Sequence, residues 1–190
     1  MHKQDLKDLI ESDLIRYGFS NSKKPSIISK RGLYGYIYSS CMRKVKYYKE
    51  NKQFIPFAFH RIKLRYLMFK YGFQIPYSTK IGNGFYIGHF GSIVVNFNSI
   101  IGNNVNLSPG VTIGGTNRGM DKGAPIISDK VWIGTNAVIV GKIKIGSDVI
   151  IAPNAFVNVD IPPHSIAIGN PVVVHKKENA TEFYIENIFK

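Results

Sequence analysis

Between Ile81 and Val157 aliphatic residues recur every six positions. Ile81, Ile87 and Ile93 form one such series, Ile101, Leu107 and Ile113 a second, and Ile127, Ile133, Ile139, Ile145, Ile151 and Val157 a third. A second aliphatic or small residue stands four places after many of them, as at Val105, Val111, Val131, Ala137, Val149 and Ala155. A period of six is neither helical nor that of an ordinary strand. It predicts a parallel β-helix, in which three short strands make one triangular coil and each coil buries its aliphatics against the next. Glycines follow the first aliphatic at Gly82, Gly88, Gly102, Gly114, Gly134 and Gly146, and are expected at corners for their backbone freedom.

The region before the repeats follows a different rule. Leu6, Leu9, Ile10 and Leu14 fall at helical spacing and predict an amphipathic helix over residues 2–17, stopped by Gly18. Residues 19–32 read as a loop rich in Ser, Lys, Pro and Gly. Further helices are expected from about 33 to 50 and from about 56 to 70. The third of these mixes aromatics and aliphatics with Arg61, Lys63, Arg65 and Lys70. Two readings stay open for it: a helix lying in a membrane interface, or one packed on the β-helix end or on a neighbouring subunit.

The register of six breaks twice. Ile93 to Ile101 is eight residues, and Ile113 to Ile127 is fourteen with GGTNRGMDKGAP between them. The second break is polar and Gly-rich, so it is expected to leave the coil as a loop, on a face where solenoids often bind ligands. After Val157 the pattern closes through SIAIGNPVVV as a last partial coil, and Lys176–Lys190 forms a tail read as either a short capping helix or disordered.

Charge is unevenly placed. Residues 1–80 hold 17 Lys/Arg against 5 Asp/Glu, a net of +12, while residues 81–190 hold 8 against 7. Such a field favours an anionic partner, but no nucleic-acid reading motif accompanies it, and nucleic acid is set aside. A single cysteine, Cys41, excludes an internal disulfide and a cysteine-cluster metal site. With no apolar leader at the N-terminus and no run of ~18 apolar residues, a cytoplasmic protein is expected.

Of the five histidines only His89 lies within the repeats, directly after Gly88, where its ring is expected to project near a turn. An imidazole there suits a general base, and an idle surface histidine is the plain alternative. Asp121, Asp129, Asp148 and Asp160 do not pair at a spacing that suggests two-carboxylate chemistry, and no nucleophile elbow, P-loop or HExxH is present.

The order GFYIGHFGSIVV, LSPGVTIGGT, VWIGTNAVIVGKIKIG, IIAPNAFV and IAIGNP over residues 73–174 resembles the left-handed β-helix acyltransferases of hexapeptide repeats, in particular their serine acetyltransferase branch. The resemblance implies a mainly β fold, a left-handed parallel β-helix at 73–174 with an N-terminal helical segment at 1–72 and a C-terminal tail at 175–190. It implies a homotrimer with acetyl-CoA lying between adjacent β-helices, and no metal. It places His89 as the base that takes the acceptor's proton. It places Gly115, Thr135, Ala152 and Pro153 along the CoA groove, with Trp132 beside it and Lys176 and Lys177 near the CoA phosphates.

The sequence departs from that branch at the acceptor side. Gln74 stands where an Asp fifteen residues before the histidine would orient its ring, and Gly88 where an Asp would hold serine. Gly123 and Ala124 replace an Arg-His pair. These departures predict an O-acetyltransferase acting on a sugar or glycan hydroxyl in surface polysaccharide synthesis, at the inner face of the membrane if the basic helices touch lipid. Serine O-acetylation in cysteine biosynthesis and a non-catalytic β-helix scaffold are the alternatives.

Overall fold

The computed structural model describes residues 1–20, 22, 25–26, 32–119 and 122–189. Three helices lead into a parallel β-helix of about five coils. Helix α1 spans Lys3–Ile15, α2 Tyr34–Glu50 and α3 Phe54–Tyr71. The loop expected over 19–32 lies largely outside the described residues.

Helix α1 starts where the His2 N–H donates to the Asp5 carboxylate at 2.7 Å, a carboxylate in the first turn complementing the helix's positive end. Helix α3 begins two residues earlier than expected. Pro56 sits inside its first turn, where a missing N–H costs nothing. It ends at Gly72, whose φ of 77° is left-handed and whose N–H donates to the Met68 carbonyl.

The β-helix is a three-sided prism. The first face stacks strands Phe73–Gln74, Ile93–Val95, Thr112–Gly114, Val138–Val140 and Phe156–Val157. The second stacks Lys80–Ile81, Ile100–Ile101, Ile126–Ile127 and Lys144–Ile145. The third stacks Tyr86–Ile87, Asn106–Leu107, Val131–Ile133, Val149–Ile151 and Ser165–Ile168, all parallel, and ends with Val173–Lys176 running antiparallel to Ser165–Ile168. The closing segment thus adds one more coil strand, Ser165–Ile168, as expected, and then turns back as a hairpin.

The six-residue series point inward. Ile87, Ile93, Ile101, Leu107, Ile113, Ile127, Ile133, Ile139, Ile145, Ile151 and Val157 are buried and form one continuous core. Ile81, in the first coil, is half-buried. Val105, Val111, Val131, Ala137, Val149 and Ala155 are buried beside them. The register breaks fall in turns, so pairing resumes in step on either side: Ile101 pairs with Ile127, and Ile113 with Ile139.

The glycines of the repeats have a different task from the one expected. None of Gly82, Gly88, Gly102, Gly114, Gly134 and Gly146 has a positive φ. Left-handed backbone at the corner between the second and third faces falls instead on Gly84, Asn104, Lys130, Asp148 and His164. Space is what most of the repeat glycines supply. A Cβ on Gly102 would stand 2.7 Å from the Ser128 carbonyl carbon, and one on Gly134 2.6 Å from the Pro153 nitrogen. Backbones of successive coils touch there, and a methyl group would push them apart.

The C-terminal tail is neither a helix nor loose. Its turns lie over the third face, with Ala180, Thr181 and Ile185 buried. The Asp148 carboxylate accepts from the Ala180 N–H, the Thr181 N–H and the Thr181 hydroxyl. Arg16 ties helix end, coil and tail together, donating to the carbonyls of Gly84 and Glu186 and to Asn106 Oδ1.

Candidate active site

Turns connecting the third face to the first stack into one edge of the prism. Gly110 N–H donates to the Ser92 carbonyl, Asn136 N–H to that of Pro109, and Asn154 N–H to that of Thr135. His89 lies in the first of these turns, Thr135 in the third, and Ala152 and Pro153 in the fourth. Four of the residues singled out from sequence therefore share an edge. The period of six, run over coils of about eighteen residues, brings them there.

His89 is exposed. Among the described residues neither ring nitrogen has a hydrogen-bond or ion-pair partner, so both are free to take an external group. Its neighbour Phe90 packs edge-on against Tyr34 of α2 at 5.5 Å between ring centres, and Gly91 N–H donates to the Tyr71 carbonyl at the end of α3. Both contacts hold the turn against the helical segment.

Gln74 sits on the first face, at the head of an outward ladder in which Gln74, Val94, Thr112, Val138 and Phe156 pair in register. It is exposed, and it makes no hydrogen bond to His89. The two belong to different places: His89 to the edge turn, Gln74 to the strand beyond it. Gln74 lines a groove of about 330 Å³ between α3 and the first coil, with Arg61, Leu64, Met68 and Tyr77 also on its walls.

Gly115 lies on the next edge, across the first face. The strand Thr112–Gly114 separates it from the His89 edge, a span of roughly 10 Å. Its place is tightly set. A Cβ there would stand 2.9 Å from the Gly123 carbonyl oxygen and 3.0 Å from Asn96 Nδ2. Thr116 and Gly123 exchange backbone hydrogen bonds of 2.9 and 3.0 Å, closing the base of the expected loop. Asp121 lies outside the described residues. Asn96, in the turn that absorbs the first register break, is the neighbour sequence reading missed. The break itself was the signal.

Trp132, Ala152, Pro153 and Lys177 line a cavity of about 480 Å³ completed by Phe183 and Tyr184 of the tail. Trp132 meets Tyr184 edge-on at 5.1 Å. Lys176 is elsewhere: it pairs with Ser165 at the far edge of the third face and forms an ion pair of 3.6 Å with Glu178. Among the described residues no cluster of three or more His, Cys, Asp or Glu is placed to hold a metal.

The architecture is a parallel β-solenoid of hexapeptide repeats with N-terminal helices. Residues 124–158 match the Bacterial transferase hexapeptide (six repeats) family. Serine acetyltransferase of Helicobacter pylori (strain 26695) is 37% identical over 99 residues, which is 52% of this chain and 58% of that protein. Serine acetyltransferase 4 of Arabidopsis thaliana is 35% identical over 101 residues, 53% of this chain and 28% of that protein. The chain thus covers between about a quarter and three fifths of the length of these relatives. In three dimensions the soybean serine acetyltransferase apoenzyme is similar with a TM-score of 0.74 and 27% identity, over 91% of this chain and 70% of that one. The serine acetyltransferase branch of the resemblance is therefore supported. The expected tie to polysaccharide O-acetylation finds no support in these relatives, which are named for serine.

Proposed function

We propose that this protein is an acetyl-CoA-dependent O-acetyltransferase with His89 as general base and L-serine as acceptor. The observation that carries it is the stacked edge: an unpartnered, exposed His89 in line with Thr135, Ala152 and Pro153, one strand away from the closed base of the Gly115 loop. A homotrimer would set the neighbouring solenoid against this edge, leaving acetyl-CoA a groove between them. His89 takes the proton of the acceptor hydroxyl as its oxygen attacks the thioester carbonyl. The C–S bond then breaks and the CoA thiolate leaves, receiving a proton. Thr135, Ala152 and Pro153 offer backbone groups to the pantetheine arm, and Lys177 is better placed than Lys176 to meet a CoA phosphate. A cytoplasmic location follows from the donor.

The names of the relatives support serine. Geometry brings a further basic residue, from the next coil, to the loop base. Lys142 lays its methylenes against Gly123, within 3.0–3.5 Å of where a Cβ would stand, and its ammonium is our candidate to meet the acceptor's carboxylate. A second reading, transfer to a sugar hydroxyl, is favoured by Gly88, Gly123 and Ala124, which carry no charged group for an amino acid's ends. Gln74, without a bond to His89, serves this reading or the first only as a contact for the acceptor.

Purified protein given acetyl-CoA with L-serine or with a panel of sugars decides between them by thiol release. Release with serine, lowered by about 10²-fold or more in His89→Ala with the assembly intact, is the expected result. Release with sugars alone transfers the assignment to the second reading, and release with neither removes the transferase assignment.

A further inference from the structure

Helix α3 carries two apolar faces. Leu64, Leu67 and Tyr71 are buried on the side where α3 packs against α2 and the first coil. On the opposite side Ile55, Phe59, Ile62, Tyr66 and Phe69 recur at spacings of four, three, four and three, which at ~100° per residue is one straight stripe. These five are between 61 and 86% exposed. Lys63 and Lys70 border the stripe on one side, Arg61 and Arg65 on the other. Their heads stay close to its rings: Arg65 lies 5.8 Å from the centre of Phe69, and Lys70 5.6 Å from that of Tyr66. Helix α3 contains no acidic residue.

We propose that α3 is an interfacial helix that docks the protein on an anionic lipid bilayer. The stripe enters the boundary between headgroups and acyl chains, and the flanking cations meet the phosphates. Charge decides the occupant. A second copy of α3 would set one acid-free row of cations against another, whereas an anionic headgroup layer pairs with every one of them. The stripe is roughly 21 Å long, and it needs no matching surface to enter lipid. The helix is not long and apolar enough to cross a membrane, so it lies along the surface. Its inner side walls the Gln74 groove, which brings that groove close to the lipid plane.

Vesicle co-sedimentation of the full chain tests the proposal, with phosphatidylcholine alone and with phosphatidylcholine containing phosphatidylglycerol. Binding is expected to the anionic vesicles only. It should fall at least about tenfold in the Phe59→Ser/Phe69→Ser double variant, whose changed side chains are exposed, and separately in Lys63→Gln/Arg65→Gln/Lys70→Gln. Circular dichroism and thermal melting of both variants check that the fold is kept. Three outcomes overturn the proposal: no binding to anionic vesicles, binding that the double serine variant leaves unchanged, or a particle mass that falls to a half or a third in that variant and so marks the stripe as a contact between copies.

Discussion

Arg43 of α2 grips Asp13 of α1 with two hydrogen bonds of 2.8 Å, from Nε and Nη2, and both side chains are buried. The pair also reaches the first coil. Asp13 accepts the Phe85 N–H at 2.9 Å, and Arg43 donates to the Gly82 carbonyl at 2.6 Å. Removing one partner leaves the other charge buried and uncompensated, which costs about 3–5 kcal/mol. Asp13→Asn and Arg43→Met are each expected to lose that much in urea unfolding. A loss below about 1 kcal/mol in both would show that the pair does not anchor the helices.

Asp148 is expected to make tail attachment acid-sensitive. Burial by itself raises its pKa. The hydrogen bonds from Thr181, His164 and Ala180 outweigh that and hold the carboxyl below its ordinary value of 3.8. A depressed folded pKa contributes stability that is present above the unfolded value and is lost as pH falls through the folded one. The tail should therefore stay docked at neutral pH and loosen in acid, below about pH 4. Limited proteolysis across pH reads this directly. Asp148→Asn should release the tail to cleavage at neutral pH, and protection equal to the parent's would disprove the anchor.

Gly115 is expected to tolerate no side chain. A methyl group 2.9 Å from the Gly123 carbonyl must shift the loop base by a few tenths of an ångström or more. Displacement on the scale of 1 Å near reacting groups can cost about 10²-fold in rate. Gly115→Ala should thus lower kcat/KM for acetyl-CoA by about that factor while the melting temperature changes little. Unaltered kinetics would remove the Gly115 loop from the active site.

Most of the fold was legible from the chain because a solenoid repeats its own environment. Each inward aliphatic meets the equivalent residue of the next coil, so Ile127 on Ile145 and Ile139 on Val157 follow from spacing alone, whereas Ile101 on Ile127 and Ile113 on Ile139 pair across the loop that breaks the register. His89 and the Gly115 loop were legible for the same reason: both depart from a regular pattern. Other features had no local rule to announce them. Whether a repeat glycine serves torsion or close approach depends on the coil beside it, and Gly102 and Gly134 turn out to be spacers. The absence of a Gln74–His89 bond could not be read from their separation, because only the fold puts His89 in an edge turn and Gln74 on the first face. Lys142 reaching Gly123 and Trp132 reaching Tyr184 join distant segments in the same way.

The sequence by itself determined the period, the inward series and the three helices, since all of these follow from repetition at fixed intervals. Tertiary structure alone decided which side of α3 is covered, where the tail lies, and how Asp13 finds Arg43. These depend on shape and charge meeting across long chain separations, where spacing carries no information. The apolar content of α3 was plain in its residues. Only packing could show that one face is used and the other left bare.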